Sequence, residues 1–256
     1  MHFCNANFCT AIVMQIKTKA IVLRCTNYGD NKLITRLFTE EQGVQSFITT
    51  KSAGRGKGKF TALLQPLSLL VIDYKQVPNK HLHSFADITM LHAYTSVHSN
   101  MVKLSIAQFI SELLHKSINE NEHYASAFFT FMENSLIYFD VTHENFENFH
   151  LYFLIEFSRY LGFYPQVLDD NETTNFDLYN GMFCNYSVNS AFMLDASTSA
   201  LLLQCLNISI TNFMNLKFNY QQRKQLLTAI TDYYRIHVNG IEEFKTISVL
   251  QTVLSV

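Results

Sequence analysis

KTKAIVLRCTNYGDNKLITRLFTEEQGVQSFIT, residues 17–49, is the stretch on which the fold is read. Its first eight residues, Lys17 to Arg24, alternate loosely and are rich in β-formers, so they predict a strand. Asn27-Tyr28-Gly29-Asp30 supplies turn chemistry, and KLITRLFT (32–39) reads as a second strand. Glu40-Glu41-Gln42-Gly43 turns the chain into a third, Val44 to Thr49. Beyond a polar, basic segment, LSLLVIDY (67–74) predicts a largely buried fourth strand, and a fifth falls within 82–93. Five short strands in this space point to a small closed barrel, because closure removes exposed edges.

The period then changes to that of a helix. Leu104, Ala107, Ile110, Leu113 and Leu114 share one face, and Leu151, Leu154, Ile155 and Leu161 share another in a helix that stops at Gly162 with Pro165 beyond. Leu226, Leu227, Ile230 and Tyr234 form a third stripe, closed by Asn239-Gly240. Residues 165–195 lack this period and carry a hairpin signal at Asn180-Gly181. The expected class is α+β: a barrel over 14–82, then a helical bundle over 83–256 with a loop-rich insertion at 165–195. Residues 1–13 hold no Lys or Arg, so they lack the basic leader of a secretory signal. They are expected to be a non-native or disordered extension ahead of a natural start at Met14.

Composition narrows the function. Of 256 residues, 48% are apolar and 16% charged, and no apolar run is long enough to span a bilayer, so no membrane role and a cytoplasmic location are expected. Five irregularly spaced cysteines without a CxxC pair fit reduced thiols. The net charge of −2 hides a division. Residues 1–80 hold eleven Lys/Arg against four Asp/Glu, a net +7, while residues 81–256 hold eight against seventeen, a net −9. A basic first module suits a polyanion.

The chemistry concentrates in Lys51-Ser52-Ala53-Gly54-Arg55-Gly56-Lys57-Gly58-Lys59-Phe60. Glycines let backbone approach a phosphate, and cations displace condensed counterions from nucleic acid. Phe60 supplies a ring able to stack on a base. Lys17, Lys19, Arg24, Lys32 and Arg36 extend the patch where their strand faces point outward. The loop is no nucleotide-phosphate loop: GxxxxGK[ST] is absent and its GxGxG departs from GxGxxG. No GxSxG or HExxH occurs either. His143, Glu147 and His150 have a spacing that would suit a metal, but surface or capping roles are expected of them because no further ligand set is evident.

In order and spacing these residues resemble the RecO family of bacterial recombination mediators. Tyr28-Gly29-Asp30, Thr39-Glu40-Glu41-Gln42-Gly43, Leu64-Gln65-Pro66, Glu112-Leu113-Leu114, Tyr160 to Pro165 and Tyr233-Tyr234-Arg235-Ile236-His237 carry the likeness, together with the tail Ser248-Val249-Leu250. The resemblance implies an oligonucleotide-binding (OB) type of barrel followed by a helical domain. It implies binding of single- and double-stranded DNA, strand annealing, partnership with RecR, and loading of RecA onto DNA coated with single-stranded-DNA-binding protein. A nucleoid-associated location goes with these roles. The family's usual DNA surface includes the basic loop that matches Lys51–Lys59 here; with the reading of the residues above, the expected DNA-binding side chains are Lys51, Arg55, Lys57, Lys59 and Phe60, extended by Arg24, Lys32 and Arg36. The helical domain is implied to receive the acidic C-terminal tail of the single-stranded-DNA-binding protein. Lys217, Arg223 and Lys224 are the candidates for its rim, with Arg159 and Arg235 assigned to intramolecular ion pairs. Many family members carry a CxxC…CxxC zinc element after the Leu-Gly-Phe-Tyr-Pro stretch. Here Gln166 to Leu194 retains only Cys184, and four thiolates are needed, so no zinc or other cofactor is expected. Packing of Phe176, Tyr179, Phe183 and Tyr186 would hold the insertion instead.

Two other readings remain open at this level. A protein-interaction scaffold would use the barrel mainly for a partner protein, and the −9 region favours some caution because it repels nucleic acid. A nuclease would need clustered carboxylates for two metals, for which Asp169-Asp170 is thin support. No catalytic residue is assigned.

Overall fold

The computed structural model describes residues 14–51, 60–77, 80–120, 124–167, 175–185 and 190–255. The chain forms two compact units: Met1–Ala93 with Glu120–Ser126, and Tyr94–Asn119 with Ala127–Val256.

The first unit is a curled six-stranded sheet of order β5-β3-β2-β1-β4-β6. Its strands are β1 (Met14–Tyr28), β2 (Lys32–Thr39), β3 (Gly43–Thr50), β4 (Leu69–Gln76), β5 (Leu82–His83) and β6 (Phe85–Met90). The fifteen-residue β1 serves two partners, pairing with β4 over Met14–Ile21 and with β2 over Ala20–Tyr28. The single strand expected within 82–93 is two. Leu82 and His83 pair in parallel with β3, and after Ser84 the chain pairs antiparallel with β4. The two ends of the sheet are therefore one residue apart along the chain, which draws the sheet round a core. The expected division after residue 82 falls inside this sheet, because both short strands are needed to link its edges.

Ile16, Ala20, Val22, Leu37, Phe47, Leu70, Ile72, Tyr74 and Ile88 point inward. Rings from both ends of the sheet meet there: Phe47 stacks on Phe85 at 4.4 Å and lies edge-on to Tyr74 at 5.0 Å. Such pairs add about 0.5–1.5 kcal/mol each beyond the area they bury. Gly29 makes the β1–β2 turn with φ +60°, a conformation that costs glycine little.

The second unit is helical. Its helices are α1 (Met101–Ser117), α2 (Ser126–Val141), α3 (Phe149–Tyr160), α4 (Ala196–Gln204), α5 (Ile210–Met214), α6 (Tyr220–His237) and α7 (Ile247–Val253). Asn100 caps α1 by accepting from the Val102 and Lys103 amides, and Asn219 with Gln222 forms a capping box on α6. The core is aromatic: Phe139 stacks on Phe149 at 4.1 Å, Phe128 on Phe157 at 5.3 Å, and the Tyr234 hydroxyl donates to the Leu154 carbonyl. A buried cation ties its first turn to α2. Lys103, 1% exposed, donates to the carbonyls of Phe139, Asp140 and Thr142 and to Ser96 Oγ, while the buried Asp140 carboxylate accepts from the amides of Thr95, Ser96 and Val97.

The expected hairpin is β7 (Asn175–Asp177) and β8 (Met182–Cys184), turning at Gly181 with φ +69°. Phe176 and Phe183 are buried, and Phe176 meets Tyr233 edge-on at 5.2 Å. Tyr179 was expected in this packing but is 62% exposed, because the Asp177 side chain accepts from the amides of Tyr179 and Asn180 and holds the turn outward. Tyr186 lies outside the described residues.

Candidate nucleic-acid interface

Strand parity alone would aim Arg24 into the barrel, since Ile16, Ala20 and Val22 on the same parity all point inward. A bulge corrects this. Val22 opposes Leu37, yet Arg24 opposes Arg36, leaving Leu23 as the extra residue. The shift turns Arg24, Thr26 and Tyr28 to the outside, across from Arg36, Ile34 and Lys32. Lys32 in turn opposes Thr50 on β3, and the Lys51 amide donates to the Asn31 carbonyl at 3.0 Å. The structure thus puts Arg24 and Lys32 on one outward face of β1 and β2, and Lys32 and the root of the basic segment at one hairpin tip. Arg24 and Lys32 are exposed and Lys51 half-buried. Arg24 and Tyr28 are separated along β1 by about 13 Å.

Other expected contacts have different surroundings. Arg36 is half-buried, and its Nε lies 3.4 Å from Glu120 Oε1. Burial lowers the Arg36 pKa, Glu120 and Tyr124 oppose that, and Arg24 across the ladder adds to it. Beside this pair, Phe38 meets Tyr124 edge-on at 5.6 Å. Arg36 is therefore engaged within its own unit. Phe60, expected as a stacking ring, is instead half-buried against the barrel core and edge-on to Phe85 at 6.5 Å, because the short helical turn Thr61–Leu63 tucks it inward. Lys17 is exposed but stands opposite Asp73, which offsets its charge, and Lys19 is half-buried. Arg55, Lys57 and Lys59 lie outside the described residues.

The exposed ring on this face is Tyr28, at 57%. The sequence places it in a turn, and only the length of β1 reveals that it faces outward beside Lys32.

In the helical unit, His150, Tyr220, Arg223, Lys224, Leu227, Gln251 and Leu254 line a small open groove. Arg223 and Lys224 thus come together, with the Arg223 guanidinium donating to the Phe218 carbonyl at 2.6 Å. Lys217 does not join them: it is exposed and donates to Asn145 Oδ1. Arg159 and Arg235 pair with Glu156 and Asp232 one turn away. His150 takes no surface role. Its ring is 0% exposed, because α3 turns that side inward, and neither nitrogen makes a well-formed hydrogen bond. Burial and then the Arg223 charge push it down to about 3. Among the described residues, no group of three or more His, Cys, Asp or Glu side chains is placed to hold a metal, and no helix is long and apolar enough to cross a membrane.

Comparison with known proteins accounts for both units. Residues 14–94 match the family model for the recombination protein O N terminal domain, and residues 98–244 match that for its C terminal domain. The chain belongs to the RecO family. It is similar to the DNA repair protein RecO of Flavobacterium psychrophilum, 33% identical over 243 residues, which are 94% of this chain and 100% of that protein. The RecO of Flavobacterium johnsoniae is 32% identical with the same coverage. That of Azobacteroides pseudotrichonymphae is 30% identical over 94% of this chain and 99% of its own. In RecO terms the curled sheet is the OB-like N-terminal domain, and the chain has a role in DNA repair and recombination.

Proposed function

We propose that this RecO chain binds DNA through the outward face of β1–β2–β3 and promotes annealing without making or breaking a bond. The observation that supports this reading best is the placing of Lys32 and Lys51 at one hairpin tip, with Arg24 further along the same outward face, at the root of a segment that also contains Arg55, Lys57 and Lys59. Clustered cations neutralise phosphates, and neutralising two strands lowers the repulsion between them. No general acid, base or metal is needed for that step.

The finer expectations belong to the same proposal. In it the chain works in the cytoplasm, at the nucleoid, with RecR, and helps load RecA onto DNA coated with single-stranded-DNA-binding protein. The groove between Arg223 and Lys224 has the chemistry for that protein's tail: apolar lining from Leu227 and Leu254 and cations beside it for carboxylates.

The test is the salt dependence of oligonucleotide affinity by fluorescence anisotropy. Replacing Arg24, Lys32 and Lys51 by Gln together should weaken binding of every sequence alike. It should also shrink the slope of log K against log salt by about 0.7 per lost contact on a single strand. An unchanged slope would favour the rival reading, a scaffold whose barrel holds a partner protein. The engagement of Arg36 and Phe60 within the barrel unit leaves that reading a hearing.

A further inference from the structure

Three tyrosines rank among the large exposed side chains: Tyr28, Tyr160 and Tyr179. Two of them have ring partners. Tyr160 stacks on Phe131 at 4.9 Å, and Tyr179 leans on Phe192 at 5.7 Å. Among the described residues, Tyr28 meets no other ring and makes no side-chain hydrogen bond. It is held out at the last position of β1, directly across from the Lys32 ammonium side chain and on the same face as Arg24. A Cβ at the neighbouring Gly29 would meet nothing within 4 Å among the described residues. An unpartnered aromatic face beside cations suits a planar base attached to a phosphate chain, since stacking accepts any base and the cations hold the backbone.

We propose that Tyr28 is a stacking platform for an unpaired base, so that this face discriminates single strands from duplex. The inference rests on the DNA-binding reading above and names the substrate form of that same site. In a duplex the base faces are already covered by their neighbours. The cations then still meet phosphates, but Tyr28 has nothing to stack on. Tyr28 is therefore a binding residue for single strands and neutral for duplex.

The chain contains no tryptophan, so Tyr28→Trp places one indole at the site. Its fluorescence should be quenched by oligothymidylate, and left nearly unchanged by a duplex or by an abasic sugar–phosphate strand of equal length. In parallel, Tyr28→Ala should weaken oligothymidylate binding at least about five-fold, the lower end for one stacked base, while Tyr28→Phe retains it. Abasic-strand and duplex affinity should stay within two-fold, and the melting temperature should not move because the ring is exposed. Equal loss on abasic and base-bearing strands would overturn the proposal, showing a role in phosphate contact or folding. So would no loss with Tyr28→Ala while Lys32→Gln weakens binding, an outcome that leaves the DNA reading intact. If neither Tyr28→Ala nor the triple Gln variant changes any affinity, the DNA reading fails and the stacking platform falls with it.

Discussion

Acidification from pH 7 to pH 5 should destabilise the helical unit through a single ring, His150. The ring is fully buried, neither nitrogen makes a well-formed hydrogen bond, and the Arg223 charge adds to burial against a smaller opposing effect of the Glu147 backbone, so its native pKa is pushed down to about 3 from an ordinary 6.5. The sign follows from which state takes the proton. As pH falls through 6.5 the unfolded chain protonates His150 and the native chain does not, so unfolding is favoured. Stability from this ring is complete above 6.5 and is lost progressively down to about 3. Each pH unit in that window costs about 1.4 kcal/mol, so the step from pH 7 to pH 5 costs about 2 kcal/mol. The figure barely changes for any native pKa below about 4, because the native ring is then still mostly neutral at pH 5. Urea unfolding at pH 5, 6 and 7 and constant ionic strength measures it, with His150→Phe as the comparison. Phe109 lies edge-on at 6.4 Å, so the substitution keeps an aromatic ring beside an aromatic neighbour. The variant should match or exceed the parent at pH 7, since two unpaired buried nitrogens are gone. It should lose about 2 kcal/mol less than the parent on going to pH 5. Identical losses in both proteins would refute the assignment of the acid sensitivity to His150.

Three further outcomes follow from the structure. Lys103→Met should destabilise the chain by about 3–5 kcal/mol in denaturant titration, because it strips the cation from three buried carbonyls and from Ser96; a loss under about 1 kcal/mol would contradict that. Gly181→Ala should cost about 1–3 kcal/mol, since the residue holds φ +69° and a Cβ there would sit 2.5 Å from the Tyr233 hydroxyl, itself donated to Phe163; an unchanged melting temperature would count against it. Glu120→Gln should release Arg36 from its carboxylate and raise oligonucleotide affinity, with the salt slope steeper by up to about 0.7; unaltered affinity would mean that Arg36 does not reach phosphate even without that carboxylate.

Much of this protein was legible as local pattern. The alternation at 17–24, 32–39 and 44–49, the helical stripes and the stop signals at Gly162 and Gly240 all correspond to elements present in the fold. Such signals depend on neighbours a few residues away, which a sequence displays directly. The segregation of positive charge into the first eighty residues and the ordered RecO motifs were equally visible.

What the sequence could not decide depends on partners far along the chain. Whether Arg24 faces in or out turns on one bulge residue, Leu23, and parity without it gives the opposite answer. Arg36 is occupied by Glu120, which lies 84 positions later, and Tyr28 stands exposed beside Lys32 only because β1 runs on to meet β2. The division of 82–93 into two strands follows from pairing with opposite ends of a sheet. The sequence by itself determined strands β1 to β4, the β7–β8 hairpin and helices α1, α3 and α6, because backbone propensity and apolar period are local. Tertiary structure alone decided which cations and which aromatic rings stand exposed among the described residues, because exposure and ion pairing are set by what folds back onto each side chain.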